Sequence, residues 1–411
     1  MTKRNQRPFP IKGIDNNTYL KIAWEKGWLN DYSNDHFLIK AIENKLNDID
    51  WKKQLISNNQ VAYFSPLNIS GDIDYNSFMI NFILNLSYSL EYMSKTFGEE
   101  KIKEFITNQL AAGKFNYNPN SFFQALSEIE ILKFYCNRYE WDQALYEPPI
   151  GQNGSNPEAS FSLLPSSERS LFPQGITVNI EVKTPGFHLL NDSDDRRVIP
   201  TILLNDEGRS KFAELCKLHD LKCVMPRITK IIDFLNSAAK KFNKPKENEL
   251  NLLYINWSYS DFPSNSFLEA WSLLTNEING VLNHPEIGMR LPFKEPLHKD
   301  VYEKISAIVV YTSSLDQLMF SDFRFSWQRN GIAGHRFRMI LNENDYIGNI
   351  TDKYTDALFQ ISGMNPDLPS DTKFKILFER NWSSKTSLNN QLDDCKFMCK
   401  AEQIVNKFSL H

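Results

Sequence analysis

Apolar residues recur at spacings of three and four over residues 19–28, 36–49 and 76–96. That is the repeat of one helix face, so the N-terminal region reads as helical. Gly27 and Gly98 stand where two of these helices should stop. Residues 111–120 (AAGKFNYNPN) carry Gly, Asn and Pro and read as a connector. From Ser121 the pattern changes to helices alternating with short β-rich runs. Ser121 and Gln124 have the spacing of a capping box at the head of a helix whose apolar residues continue to about Tyr139. A short run at 144–147, a loop (PPIGQNGSNP) and two alternating strands, 158–163 and 176–183, follow. A long basic helical region, 206–246, leads to a buried-looking strand at 250–257, a helix at 266–279 and a strand at 305–312. The tail from Ser321 opens with a hairpin pattern and closes with a helix after Ser387. This order predicts an α/β protein with a helical region over 1–115, a core over 116–315 and a smaller C-terminal extension of β-hairpin and helix over 316–411.

The strand ITVNIEVK puts Ile176, Val178, Ile180 and Val182 on one face, because side chains alternate every second residue. Thr177, Asn179, Glu181 and Lys183 share the other, so a carboxylate and an ammonium lie close enough to act on one ligand. The run EASFSL alternates in the same way. If it pairs with ITVNIEVK as a hairpin, Glu158 joins Glu181 and Lys183 on the polar face. Pro157 is tolerable just ahead of a strand. Pro185 and Gly186 stop the second strand directly after Lys183, which leaves these groups at a strand end. Glu128 and Glu130 lie on a helix that is apolar almost all round, and Glu128 falls nearer the stripe of Phe122, Ala125, Ile129, Leu132 and Cys136. A half-buried acid near other acids needs a cation.

Composition narrows the partners. With 41% hydrophobic and 13% aromatic residues in 411, the chain can bury sizeable cores. Forty-six Lys and Arg against fifty Asp and Glu exclude a globally basic nucleic-acid coat. Locally, residues 206–246 hold ten Lys or Arg against five acids, a surface that could track phosphates or simply be solvated. The N-terminal residues carry no secretory pattern, and the longest uncharged apolar-rich stretch, 78–90, is too short for a bilayer and is interrupted by Asn81, Asn85 and Ser87. Five cysteines suggest no disulfide framework, so a soluble, cytoplasmic protein without a membrane partner is expected. Cys216, His219 and Cys223, with Cys395 and Cys399, lack zinc-knuckle spacing and read as buried thiols in a helical pattern.

ALSEIE, NPEASF and VNIEVKT together resemble the PD-(D/E)XK nuclease superfamily, over about residues 121–312. The E-x-K triplet is common by chance. Its place on an alternating strand, behind a Pro-acid strand and a Glu-bearing helix, makes the combination more specific. The resemblance implies a restriction-endonuclease-like core, a mixed sheet flanked by helices. It also implies that Glu158 and Glu181 bind Mg²⁺ or Mn²⁺ together with the carbonyl of Val182, that Lys183 orients water or stabilises the phosphate, and that Glu128 completes the shell. Glu158 stands where the family most often has Asp. The implied activity is metal-dependent hydrolysis of DNA by an endodeoxyribonuclease, in a restriction or phage-defence setting. A second copy of the chain or a protein of a defence system would be a further partner. The alternative is a non-catalytic nucleic-acid-binding protein that retains the fold, although an intact E-x-K favours the enzyme.

Around the Asn330-Gly331 turn, Phe323, Phe325 and Trp327 alternate with Arg324, and Phe337 and Met339 with Arg336 and Arg338. A hairpin with aromatics on one face and arginines, including Arg329 at the turn, on the other suggests a core side and a grip on nucleic acid. The run RNGIAGH, 329–335, also suggests the Arg-Asn and His of metal-free HEPN-type ribonucleases. That chemistry sits on a helix, whereas Asn-Gly between alternating flanks predicts a turn. No G-x-S-x-G elbow points to a serine hydrolase.

Overall fold

The computed structural model describes residues 3–11, 18–43, 75–169, 172–185, 197–200, 202–257, 266–290, 296–311, 337–341, 378–381 and 388–410. Among the described residues, five α-helices come first: α1 Tyr19–Glu25, α2 Phe37–Ile42, α3 Tyr75–Phe97, α4 Glu99–Asn108 and α5 Pro119–Arg138. Gly98, at φ +93°, makes the break between α3 and α4 that a side chain would resist. The α5 helix starts earlier than the capping-box reading predicts. Asn118, not Ser121, is its N-cap: the Asn118 side chain accepts from the N–H groups of Asn120 (2.9 Å) and Ser121 (3.4 Å). Pro119 occupies the first turn, where a missing N–H costs nothing. At α2, His36 Nδ1 accepts from Leu38 N–H at 3.1 Å and Nε2 donates to the carbonyl of Leu110 at 2.9 Å. Burial holds its pKa down at about 3, so His36 is a neutral strut between α2 and the chain after α4.

The remaining elements are β1 Gln143–Tyr146, β2 Ala159–Leu163, β3 Ile176–Lys183, β4 Arg197–Pro200, α6 Asp206–Leu218, β5 Lys222–Cys223, α7 Ile228–Lys241, β6 Glu249–Asn256, α8 Ser266–Thr275, α9 Asp300–Lys304, β7 Ala307–Tyr311, β8 Phe337–Leu341, β9 Phe378–Asn381 and α10 Leu388–Phe408. Residues 206–246 are therefore not one long helical region. The chain leaves α6 through Asp220, at φ +52°, runs briefly as β5, passes Pro226 and starts again as α7. Likewise the helix expected over 266–279 stops at Thr275, where Asn276 turns the chain by accepting from Ile278 N–H at 2.9 Å.

Among the described residues the strands form two sheets. The larger has the order β1-β2-β3-β6-β7-β8. It is mixed: β1, β2 and β3 run antiparallel, β3, β6 and β7 parallel, and β8 antiparallel to β7. The predicted hairpin of β2 and β3 is present, with Ser160 opposite Asn179 and Phe161 opposite Val178. The smaller sheet, β5-β4-β9, packs with α6 and α10 around Val198, Phe212, Cys216, Phe397 and Ala401.

Alternation decides which face goes where. Phe161, Val178, Ile180 and Val182 join one core with α5 and with Leu20, Trp24 and Phe37 of the N-terminal helices. Leu253, Ile255 and Trp257 join Ile231, Leu235 and Trp271 on the opposite side, under α7 and α8. The N-terminal helices thus share the core of the sheet. The tail is equally interleaved, because β8 completes the larger sheet and β9 the smaller one. Most of the predicted tail hairpin, with Arg324, Arg329 and Arg336, lies outside the described residues. Arg338 stands on β8 opposite Val310. No described helix is long and apolar enough to cross a membrane.

One buried ion pair holds α7 to α8. Glu269, fully buried, accepts from Arg227 N–H (2.7 Å), Arg227 Nη2 (3.1 Å) and Trp257 Nε1 (2.7 Å), while the Arg227 guanidinium lies 4.3 Å from the centre of a Trp257 ring. Removing one partner of such a pair leaves the other buried without its charge. Glu269→Ala should therefore lower unfolding free energy by about 3–5 kcal/mol in urea titrations, and a loss below about 1 kcal/mol would show that this network is not structural cement.

Candidate functional site

The predicted polar face of β3 is real, but it is deep. Glu181 has no solvent exposure, and Lys183, two residues on, stands at the strand end with its Nζ 2.6 Å from Glu181 Oε1. The register that sets Ala159 opposite Ile180 carries Glu158, just ahead of β2, to the level of Glu181. The Glu158 backbone is held there by its carbonyl, which accepts from Glu147 N–H at 2.9 Å.

A residue from another element completes this group. Lys241, the last residue of α7, places Nζ 2.8 Å from Glu181 Oε1 and 3.3 Å from Glu158 Oε1. A lysine in the last turn also suits the negative end of the helix dipole. Both ammonium groups stand at ion-pair distance from Glu181 Oε1, yet off the directions of a well-formed hydrogen bond. Oε2 is buried without a hydrogen-bond partner among the described residues.

Glu128 approaches from α5. Tyr146 donates its hydroxyl proton to Glu128 Oε1 at 2.9 Å, and Gln109 Nε2 donates to Tyr146 Oη (3.0 Å) and Glu147 Oε1 (2.7 Å). Glu130, also buried, faces elsewhere: its charge acts on Tyr311 of β7, whose hydroxyl burial and then Glu130 hold protonated.

Glu128, Glu158, Lys183 and Gln109 border a cavity of about 530 Å³. Ser121, Gln124, Ala125 and Glu128 of α5 form one wall, and Lys230, Asp233, Phe234 and Ser237 of α7 another. Gln109 and Gly113 close one side, with Glu158, Val182, Lys183 and Thr184 opposite.

Electrostatics grade the acids. Burial, reinforced by Glu158 and opposed by the Tyr146 hydrogen bond, pushes Glu128 well above the usual carboxylate range. Burial and then the Glu181 charge raise Glu158 to about 7, against the pull of Lys241 and Lys183. Burial alone would lower Lys241, but Glu158 and Glu181 outweigh it and leave the ammonium charged. Among the described residues, no group of three or more His, Cys, Asp or Glu side chains stands at metal-ligand spacing. Glu158 and Glu181 instead share the ammonium of Lys241.

The structure therefore brings together Glu128, Glu158, Glu181, Val182 and Lys183. Sequence reasoning missed Lys241, Tyr146 and Gln109. Lys241 was visible only as one of many basic residues. Its signal is the stripe Lys230, Phe234, Ser237 and Lys241, which marks one face of α7 once the helix has its true start. Elsewhere in the basic region, Arg209 pairs with Asp206, Lys211 with Glu207 at 2.8 Å, and Arg227 with Glu269. Those three charges are held in local ion pairs. Cys216 and Cys223 are linked by a thiol hydrogen bond, whereas His219 lies against Phe397 with ring centres 5.3 Å apart.

No protein-family model matches this chain, and no match to it is found among curated proteins or solved structures.

The raised Glu158 carboxyl makes a testable demand on stability. A group that binds its proton more tightly when folded stabilises fully below its unfolded value, near 4.5, and loses that contribution as pH rises through its folded value, about 7. In metal-free buffer, the stability of the wild type relative to Glu158→Gln should therefore fall between pH 4.5 and 7 and level off above it. Denaturant titrations across this range check the sign. A difference that is flat or rises would mean that Glu158 is ionised in the folded protein throughout.

Proposed function

We propose that this protein is a metal-dependent nuclease of the PD-(D/E)XK type that hydrolyses DNA phosphodiester bonds as a restriction or phage-defence effector. The observation that carries the reading is the convergence of Glu158, Glu181 and Lys183 where β2 begins and β3 ends, with Glu128 beside them in a polar cavity. The order of elements agrees with it: a leading helix, an antiparallel hairpin bearing the acids, a helix, and a strand parallel to the second hairpin strand.

The residues fit a hard divalent ion. Glu158 and Glu181 already share one cation, the ammonium of Lys241, and Glu181 keeps a buried oxygen without a hydrogen-bond partner among the described residues. Magnesium is ordinarily held by one or two carboxylates, with water and phosphate oxygens for the rest, so a third acid is not required. Glu158, Glu181 and the Val182 carbonyl would hold Mg²⁺ or Mn²⁺, which when bound lowers the pKa of water and offsets charge on the phosphate. Lys183 lines the cavity and adds a fixed positive charge where a phosphate oxygen develops its own. Glu128, which accepts from the Tyr146 hydroxyl at the cavity wall, would complete the ion's shell.

The rival reading, a nucleic-acid-binding protein without catalysis, has one observation in its favour: two lysines already meet the Glu181 charge. Activity separates the two. Plasmid, linear and single-stranded DNA should be cut with Mg²⁺ or Mn²⁺ and spared with EDTA. Glu181→Ala and Lys183→Ala should each slow cleavage by about a hundredfold or more while remaining folded by circular dichroism. Wild-type rates in either folded variant would sink the assignment.

Two comparisons probe the remaining acids. Glu158→Asp should keep some cleavage and Glu158→Gln lose most of it, since a neutral amide supplies no charge; equal and full activity in both would place Glu158 outside the ion's shell. Glu128→Gln should impair cleavage more than Glu130→Gln, because only Glu128 borders the cavity. The reverse order would put the working carboxylate on the other side of α5.

A further inference from the structure

We propose that Lys241 is a built-in counter-cation: it occupies the position between Glu158 and Glu181 in the metal-free protein and withdraws when a divalent ion takes that position. The inference rests on the reading of the acid pair as an ion site, and it adds a residue whose charge sets how readily the site loads.

The geometry is specific. Lys241 Nζ is within ion-pair distance of both carboxylates, 2.8 Å from Glu181 and 3.3 Å from Glu158, whereas Lys183 is paired with Glu181. An ammonium in this place meets the charge of two acids that burial would otherwise penalise. The same charge works against any second cation between the same oxygens, because like charges a few ångströms apart in a partly dry site repel strongly.

The backbone under Lys241 is pinned, and only its side chain reaches the acids. Ser155 Oγ donates to the carbonyl of Lys240 at 2.7 Å, and Asn243 Nδ2 donates to the carbonyl of Ile150. Gly151 lies so close that a Cβ there would stand 2.5 Å from the Lys241 carbonyl oxygen. The four-carbon stem beyond this anchor is flexible. Its side chain is 25% exposed, so an outward swing returns the ammonium to water. The stripe of Lys230 and Ser237 on the same helix face leads along the cavity wall.

The test is Mn²⁺ binding by the whole chain, read at pH 8 from the paramagnetic resonance of free Mn²⁺. Lys241→Met, which keeps most of the stem and removes the charge, should bind Mn²⁺ at least about tenfold more tightly than wild type. Lys241→Arg, which keeps the charge, should bind no more tightly than wild type. A second readout is thermal unfolding: the Met variant should melt lower than wild type in EDTA and gain more from Mn²⁺. Should Lys241→Met fail to fold, Lys241→Gln carries the same expectation.

Equal or weaker binding by the uncharged variants, with wild type binding normally, would overturn the counter-cation and leave the ion site standing. Binding by the uncharged variant alone would support it in its strongest form. Absence of binding in every variant would overturn both the ion site and the counter-cation.

Discussion

A carboxylate taken out of water costs several kcal/mol, and only nearby cations or hydrogen-bond donors can offset that cost. Glu181 has no solvent exposure, and two ammonium groups meet it: Lys183 from its own strand and Lys241 from α7. Much of the surrounding architecture serves this meeting. Strand β3 must end at Lys183, so that its ammonium can reach both Glu181 and the cavity. Helix α7 must end at Lys241, and the loop at 150–155 must hold that end in place through Ser155 and the bare Gly151. A shift of one residue in β3 would turn Glu181 into the apolar core and turn Ile180 and Val182 out of it.

The N-terminal helices are the second requirement. Their apolar side chains join Phe161, Val178 and Ile180 in one core, and they fix α4 and α5 as the far wall of the cavity. Neutral His36 braces this wall by donating to the Leu110 carbonyl. Gln109 then stands where it can hold Tyr146 and Glu147, and Tyr146 holds Glu128. Positioning of Glu128 therefore depends on residues far from it in the chain.

What the sequence revealed follows from what is local. Alternation in ITVNIEVK gives the bounds of β3 and the side on which Glu181 and Lys183 lie, because both are properties of a few neighbouring residues. The pairing of β2 with β3 follows from two apolar faces that need one core. The break between α6 and α7 was hidden, since basic residues and apolar spacing run across both helices and only Asp220 and Pro226 mark the interruption. Lys241 was hidden for a different reason: its role depends on tertiary contact with two strands, and one lysine among ten basic residues in 206–246 carries no label. The same holds for β9, whose partner β4 lies far away in the chain. The cap of α5 was misplaced because two good candidates, Asn118 and Ser121, compete, and Pro119 decides for the first.

Glu158 is the link between the cavity and the buried acid. Its charge is the strongest raising influence on Glu128 after burial, and Glu181 plays that part for Glu158. The three carboxylates thus form a chain from the cavity inward, with lysines at the inner end and a tyrosine at the outer one. Such an order disfavours three negative charges at once. Burial and Glu158 hold Glu128 well above the usual carboxylate range, Glu158 stands near the midpoint of its titration at neutral pH, and Glu181 is met by two cations. The extra methylene of Glu158 relative to Asp fits this place. The residue stands ahead of β2, at the sheet end, and its longer arm, by about 1.5 Å, lets one carboxyl border the cavity while remaining within reach of Lys241.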